Sequence, residues 1–451
     1  MIQFFGTLVV VIGILGLFTL ARDGSRTSKA LWIPVIWLFL AGSRPVSLWF
    51  HIQQIGTAAD AQLEGSPIDR NIYTVLIASG LVVLFSRGQK VGALLRANGP
   101  ILLFLFYCGV SIAWSDFPDV AFKRWIRAIG DIVMVLVVLT DPDPAAALNR
   151  FLARTGFVVV PLSLLLDLGR GFEGSAGKYY IGVTTGKNML GMICMVIGLA
   201  AVWRFFTLLR LGDPKGRTRR LIAHGSIAAM AFFLVRMADS ATSTACFVMG
   251  GCLLFATNRW TFARKPAVVH LVVASMISVV LYAAILNPDA GVISSMGRNP
   301  TLTGRTDVWK SVLEMAPDSL LGAGFESFWL GPRLKKLWSI YVWEPNEAHN
   351  GYIEVYLNLG WVGLTLLGVV IITAYRKVVK GLRLDVDTGS LRLTYFVMAL
   401  IYSLTEAGFR IFSSIWIVFL LSIIAGVTLK RQQTSLKPAT AVTFDYSKVC
   451  A

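Results

Sequence analysis

Apolar runs of 16 to 25 residues, most of them long enough to cross a hydrocarbon core about 30 Å thick as helices, recur along the chain. They fall at 2–20, 31–50, 71–86, 99–114, 125–140, 147–167, 187–203, 221–238, 242–257, 267–286, 350–374, 393–409 and 411–429. The pattern predicts an all-α polytopic membrane protein with about 12 or 13 transmembrane helices. One interruption stands apart. Residues 287–349 are polar and lie between two spans, so a large loop is expected within a single transmembrane domain covering 1–431, followed by a polar tail at 432–451. The first run lacks a basic leader and a small-residue cleavage site, and reads as a retained helix.

Inside the long loop the period changes. Apolar residues at 308, 309, 312, 313 and 315 follow helical spacing and predict a short amphipathic helix after Thr303-Gly304-Arg305, with Thr306 or Asp307 as its cap. Residues 318–329 read as a turn with a glycine-bent return. Residues 333–343 read as a second amphipathic segment, whose aromatics suit a membrane interface. The loop is therefore expected to be partly helical and to hug the membrane.

Composition agrees with a membrane chain: 55% of residues are hydrophobic, 15% are charged and the mean hydropathy is +0.67. The formal net charge of +17 would point to nucleic acid in a soluble protein. Here most Lys and Arg sort onto alternate loops: Arg22 to Lys29, Arg87 to Arg96, Arg150 and Arg154, Arg204 to Arg220, Arg259 to Lys265, Arg376 to Arg392, and the tail from Lys430. Cytoplasmic loops collect such residues. This division places the N-terminus outside, the C-terminus inside and the long loop on the periplasmic side, and it removes the reason to expect nucleic acid. The five cysteines show no zinc-like spacing and read as packing residues.

Candidate chemistry gathers on the outer side. Of the four histidines, His51, His224 and His270 sit near span ends and read as interfacial packing. His349 lies just before a span, beside Glu347 and Asn350, and an imidazole titrating near neutrality can take a proton from an attacking hydroxyl. Cations also stand on the side where the orientation rule does not expect them: Arg170, Lys178, Lys187, Arg236, Arg298, Arg305 and Arg410. They fit either interhelical ion pairs with Asp167, Asp239 and Glu406 or a pocket for an anion. At the outer membrane surface the anion would be a lipid-linked diphosphate. Asp141-Pro-Asp143 and Asp385-Val-Asp387 have carboxylate spacing reminiscent of metal-nucleotide sites, but they read as turn residues on the cytoplasmic side. No catalytic metal is expected.

These residues resemble the O-antigen ligase and O-antigen or exopolysaccharide polymerase superfamily. His349-Asn350, nine residues, Gly360 and Gly363 match the ligase pattern. The stretches 299–309 (NPTLTGRTDVW), 321–329 (LGAGFESFW), 347–352 (EAHNGY) and 185–191 (TGKNMLG) are similar to the exopolysaccharide polymerase branch. The resemblance covers residues 180–375 most directly. It implies a membrane glycosyltransferase that uses a lipid carrier, with no cofactor and no metal. Its functional histidine carries over to His349 and its loop arginine to Arg305. Lys187 stands where a ligase has arginine, and Asn188, Arg298, Asn350 and Arg410 complete the expected diphosphate or sugar contacts.

The expected reaction joins undecaprenyl-diphosphate-linked oligosaccharides at the periplasmic face of a bacterial inner membrane. His349 acts as base or orients the attacking hydroxyl, while Arg305 and Lys187 hold the leaving diphosphate. Membrane lipid and other polysaccharide export proteins are the expected partners. Two readings compete: a ligase passing finished polymer to a lipid A core or other acceptor, and a flippase for lipid-linked saccharide. A transporter should concentrate polar and helix-breaking positions near the bilayer midplane, whereas the unusual polar residues here gather at one outer level.

Overall fold

The computed structural model describes residues 2–22, 24–52, 65–170, 180–210, 216–258, 265–282 and 303–424. In chain order its helices are α1 (Ile2–Leu20), α2 (Trp32–Ala41), α3 (Val46–Trp49), α4 (Pro67–Phe85), α5 (Gly88–Ala97), α6 (Gly99–Val110) and α7 (Pro118–Leu139). They continue as α8 (Pro144–Arg170), α9 (Lys187–Arg210), α10 (Arg217–Met237), α11 (Ala241–Thr257) and α12 (Pro266–Leu281). The long loop contributes α13 (Thr303–Glu314) and α14 (Gly331–Ile340), and the described residues end with α15 (Gly351–Leu384), α16 (Val386–Thr405) and α17 (Ser414–Ile424). Among the described residues there is no strand. The protein is an all-α polytopic membrane protein.

Each expected span overlaps a helix, but the lengths differ from those the hydropathy suggested, and the ends of the expected spans 267–286 and 411–429 lie outside the described residues. Among the described residues five helices are long and apolar enough to cross a membrane, or six if the pair 88–97 and 99–114, bent by 87°, counts as one. Others are shorter apolar helices such as Ala241–Thr257 and Ser414–Ile424. The run at 31–50 is not one helix: α2 stops at Ala41, and the chain turns through Gly42 and Pro45 before the four-residue α3. The turn carries Ser43 and Arg44, but the apolar residues Val46, Leu48, Trp49 and Phe50 follow it at once, so hydropathy merges α2 and α3 into one run.

Packing separates an inner group from an outer one. Every residue of α17 is buried, as are most of α16 and the second half of α7. In contrast, α4 and α12 leave Val82 71%, Phe85 87% and Leu271 67% exposed. Such exposed apolar faces suit lipid. The loops form two contacting sets. At the basic end Ser28 N–H donates to Asp141 (3.1 Å), Arg87 Nη1 donates to the carbonyl of Val137 (3.0 Å), and Arg392 donates to the carbonyl of Ser422. Asp385 caps α16 and Asp387 pairs with Arg210, so both acidic doublets serve turns. At the opposite end Arg44 donates to the carbonyls of Gly182 and Thr184, and Arg333 pairs with Asp116 (2.7 Å). The long loop belongs to this second end.

The loop has its own small core of Val308, Val312, Phe328, Trp329, Leu334, Leu337 and Leu357. It also inserts into α15. Gly360 breaks that helix with φ 61° and ψ −163°. The backbone groups released there are taken up by the loop: Trp361 N–H donates to Ser319 O (2.9 Å), Val362 N–H to Leu320 O (3.2 Å), and Ala323 N–H to Leu357 O (3.0 Å). Membrane-embedded backbone needs such partners. A Cβ on Gly360 would lie 2.1 Å from Leu320 O, and one on Gly363 would lie 2.2 Å from Leu359 Cβ. Gly360 therefore lets the long loop lock into the helix that follows His349, while Gly363 makes room for Leu359 across the break in that helix.

Candidate functional site

Asn350 is the residue from which α15 starts. Its side-chain oxygen accepts from Tyr352 N and Ile353 N, satisfying two of the donors a helix start leaves open. Its amide donates to Leu404 O at 3.0 Å. With these three bonds made, Asn350 fixes the helix entry instead of offering its side chain outward. His349, one residue earlier, has φ 49°. A non-glycine residue in this left-handed region stores local strain, which tends to concentrate at functional positions. Asp239, Glu326, Glu344 and Phe412 share this conformation, all at the same end of the bundle.

The approach to His349 is pinned on several sides. Trp338 Nε1 donates to Pro345 O (3.0 Å), Trp309 Nε1 donates to Ala348 O (2.6 Å), and the N–H of Ala348 donates to the buried carboxylate of Glu354. The imidazole is thus held by backbone anchors from α13, α14 and α15.

Glu406 is the hub. It ends α16, and its side chain is only 5% exposed. Its carboxylate accepts from Arg305 Nη2 (2.9 Å), His349 Nδ1 (3.0 Å) and Asn188 Nδ2 (3.2 Å). Arg305 also donates to the carbonyl of Thr405. Three residues separated by up to 161 positions, singled out from three different stretches, therefore converge on one side chain.

Glu347 extends the network in the other direction. It lies 2.9 Å from His349 Nδ1 and 3.1 Å from Arg410 Nη1, and Arg410 Nε is 3.9 Å from Glu326. Lys187, adjacent to Asn188, pairs with Asp239 at 3.8 Å. The geometry therefore realises the ion-pair alternative for Lys187, Arg305 and Arg410. It still leaves Arg305 capacity, since a guanidinium carries five N–H groups and its side chain is 28% exposed. Arg298 lies outside the described residues.

Both carboxylates reach His349 through Nδ1, and carboxylates only accept. The proton therefore sits on Nδ1, and Nε2 is the atom left for chemistry. Burial alone would lower the imidazolium's pKa, but the hydrogen bonds and charges of Glu347 and Glu406 outweigh it and hold the value up to about 9. Burial would likewise raise the pKa of Glu347. The hydrogen bond and charge of His349, together with Arg410, prevail and bring it to about 2. At neutral pH the resting imidazole is protonated, a state the sequence did not suggest.

Glu347, His349 and Glu406 each present one ligand atom, all within 4.8 Å of one another. A divalent ion would have to sit between carboxylates already bonded by Arg305 and Arg410. That charge arrangement suits a proton better than a metal.

Glu406 and Glu347 are the residues sequence reasoning undervalued. The sequence offers Glu406 as an ion-pair partner and Glu347 as a neighbour of His349, and the structure brings both onto Nδ1 of His349. A lone acidic residue between two apolar runs was the available signal for Glu406. Arg124, in the first half of α7, also reaches this end of the bundle and donates to the carbonyl of Glu326.

The family description "O-antigen ligase" matches residues 226–368, which include Arg305, His349 and both glycines of the broken helix. A similar protein is the exopolysaccharide production protein ExoQ of Rhizobium meliloti (strain 1021), 27% identical over 288 residues, or 61% of this chain. The match spans 64% of that relative's length. Over residues 226–368, which carry the His349-Gly360-Gly363 geometry, the chain is similar to the O-antigen ligase family, and over 288 residues it is similar to an exopolysaccharide production protein.

Proposed function

We propose that this protein is a membrane glycosyltransferase that polymerises undecaprenyl-diphosphate-linked oligosaccharide repeats into exopolysaccharide. The observation that carries the reading is the convergence of Arg305, His349 and Asn188 on Glu406 at the end of the bundle opposite the basic loops. The charge division of the loops supports a periplasmic site in a bacterial inner membrane. The name of the similar ExoQ protein supports exopolysaccharide as the product.

In the proposed step, a hydroxyl oxygen of the acceptor sugar forms a bond to the anomeric carbon of the donor. The bond from that carbon to the diphosphate breaks, and the diphosphate leaves with the electron pair. The hydroxyl proton passes to Nε2 of an unprotonated His349, a transfer that contributes about 10² to 10⁴-fold in typical sites. Glu406 and Glu347 fix the tautomer and stabilise the imidazolium that forms. Arg305 stabilises charge on the leaving diphosphate through its remaining N–H groups, with Lys187 nearby. A diphosphate is already a good leaving group, so cationic side chains suffice to assist its departure.

A deletion strain tests the reading through its saccharides. Single repeats without long polymer are the expected result. Finished polymer stranded on its lipid carrier would instead identify a ligase, the reading that the family description supports. Lipid-linked repeats confined to the inner leaflet would refute both and indicate a flippase. A His349→Ala protein should make repeats but no chains.

A further inference from the structure

Three tryptophans surround the His349 approach, and one behaves differently from the others. Trp309 and Trp338 donate their indole N–H groups to the backbone of residues 348 and 345 and serve as anchors. Trp343 is 50% exposed, and its ring lies 6.1 Å from the His349 ring at an interplanar angle of 30°. A turn presents it: Glu344 N–H donates to Tyr341 O at 3.0 Å, and Glu344 has φ 49°. Tyr341 supports it from the side, with ring centroids 6.2 Å apart, and is itself fixed by a 2.9 Å bond between its hydroxyl and Ser311 Oγ. The result is a braced, half-open aromatic ring beside the imidazole.

We propose that Trp343 is the platform for the acceptor sugar, a site for the C–H face of a pyranose ring. An aromatic face is electron-rich and a pyranose face carries a patch of weakly positive C–H groups, so the two stack while the sugar's hydroxyls remain at the rim. Because the two rings are 6.1 Å apart, a pyranose stacked on Trp343 would sit beside the imidazole, with its rim hydroxyls free to turn toward it. Trp343 thus selects and orients the attacking sugar, while Arg305 and Lys187 serve the donor. This assignment rests on the glycosyltransferase reading, and it commits the His349 side of the site to the acceptor. Val342, 98% exposed, adjoins Trp343, so a simple lipid anchor is the rival role for the indole.

The test uses full-length protein in nanodiscs with saturating lipid-linked repeats as donor. Repeat oligosaccharide released from its lipid by mild acid serves as acceptor. Trp343→Ala should raise the acceptor KM by about 3- to 10-fold, the range expected for loss of an aromatic stack, with little change in kcat. Trp343→Phe should recover most of the loss, and Trp343→Leu, apolar but without a ring, should not. A Trp343→Leu protein with a wild-type KM, or a fall in kcat at constant KM, would overturn the proposal.

Saturation-transfer NMR separates this outcome from failure of the functional reading. If the wild-type protein transfers no sugar, the released oligosaccharide should still show contacts that vanish in Trp343→Leu. Equal contacts in both proteins would refute the platform directly.

Discussion

Nδ1 of His349 lies 3.0 Å from Oε2 of Glu406, a carboxylate that arrives 57 residues later at the end of a different helix. The same carboxylate holds Arg305 through Oε1, so one buried side chain sets the positions of the proposed proton acceptor and the proposed phosphate contact. Glu406→Gln preserves its shape but removes its charge and turns one acceptor into a donor. The substitution should lower kcat by about 100-fold, in the range of lost electrostatic preorganisation, while the protein still reaches the membrane. Chain-length analysis of polymer made by the variant, beside immunoblots of the membrane fraction, checks this. Wild-type chain length at wild-type abundance would remove Glu406 from the site.

The His349 pKa gives the reaction a pH signature. If the neutral imidazole accepts the proton, kcat/KM should rise about tenfold per pH unit through neutrality and level off near pH 9, where half of the histidine is unprotonated. A falling limb near pH 9 would show instead that the imidazolium donates. In Glu406→Gln the inflection should move down, because one of the two charges holding the proton is gone.

Stability should follow the same groups in opposite directions. The raised His349 value means that its contribution is fully present below the unfolded value of about 6.5 and is lost as pH rises through about 9. Glu347, lowered from 4.5 to about 2, contributes above about pH 4.5 and loses that contribution as pH falls through 2. Thermal melts in detergent should therefore show the network strongest between roughly pH 4.5 and 6.5. His349→Gln should flatten the alkaline side of that profile.

Gly360 has φ 61° and ψ −163°, a region open essentially to glycine alone, and a Cβ there would strike the Leu320 carbonyl. Gly360→Ala should cost more than about 3 kcal/mol, the upper range for such backbone strain, because the loop backbone cannot yield without losing its bonds to Trp361 and Val362. The expected readout is loss of folded protein in the membrane. Gly368, on the same helix with no heavy atom within 4 Å of its built Cβ, is the control: Gly368→Ala should be neutral or slightly stabilising.

Much of this was legible in the chain for definite physical reasons. Hydropathy located every inner helix, since a segment such as 414–424 is apolar all round and fully buried. Helical spacing revealed α13 and α14 inside a polar loop, because that loop has a core of its own to bury, although α13 begins at Thr303, so that Thr306 and Asp307 lie inside the helix and do not cap it. Local patterns did not reveal α2's early end, because the apolar residues of α3 resume only a few positions later and merge the two helices into one run. They also could not reveal that Asn188, Arg305, His349 and Glu406 meet. That meeting depends on the packing of α9, α13, α15 and α16, and period and charge describe each helix separately. The protonated state of His349 was hidden for the same reason: it depends on two carboxylates that reach one nitrogen from opposite sides in sequence.

Asp131 carries the last prediction. It is fully buried in α7, where Oδ1 accepts from Trp37 Nε1 (2.8 Å) and Oδ2 accepts from Phe412 N (2.9 Å). Phe412 has φ 55° and lies two residues after Arg410, in the turn that also presents Glu406. Asp131 therefore ties the floor of the bundle to the segment carrying the site's charges. Both its partners are donors, so Asn at this position can satisfy one and must point its amide at the other. Leaving a buried donor without an acceptor costs about 1 to 3 kcal/mol. Asp131→Asn should lower the melting temperature and reduce kcat several-fold through the displaced turn. Crosslinking of a cysteine pair at positions 131 and 412 in a serine-for-cysteine background should restore the melting temperature if the tether is the cause. Full activity in Asp131→Asn would show that the turn keeps its conformation without it.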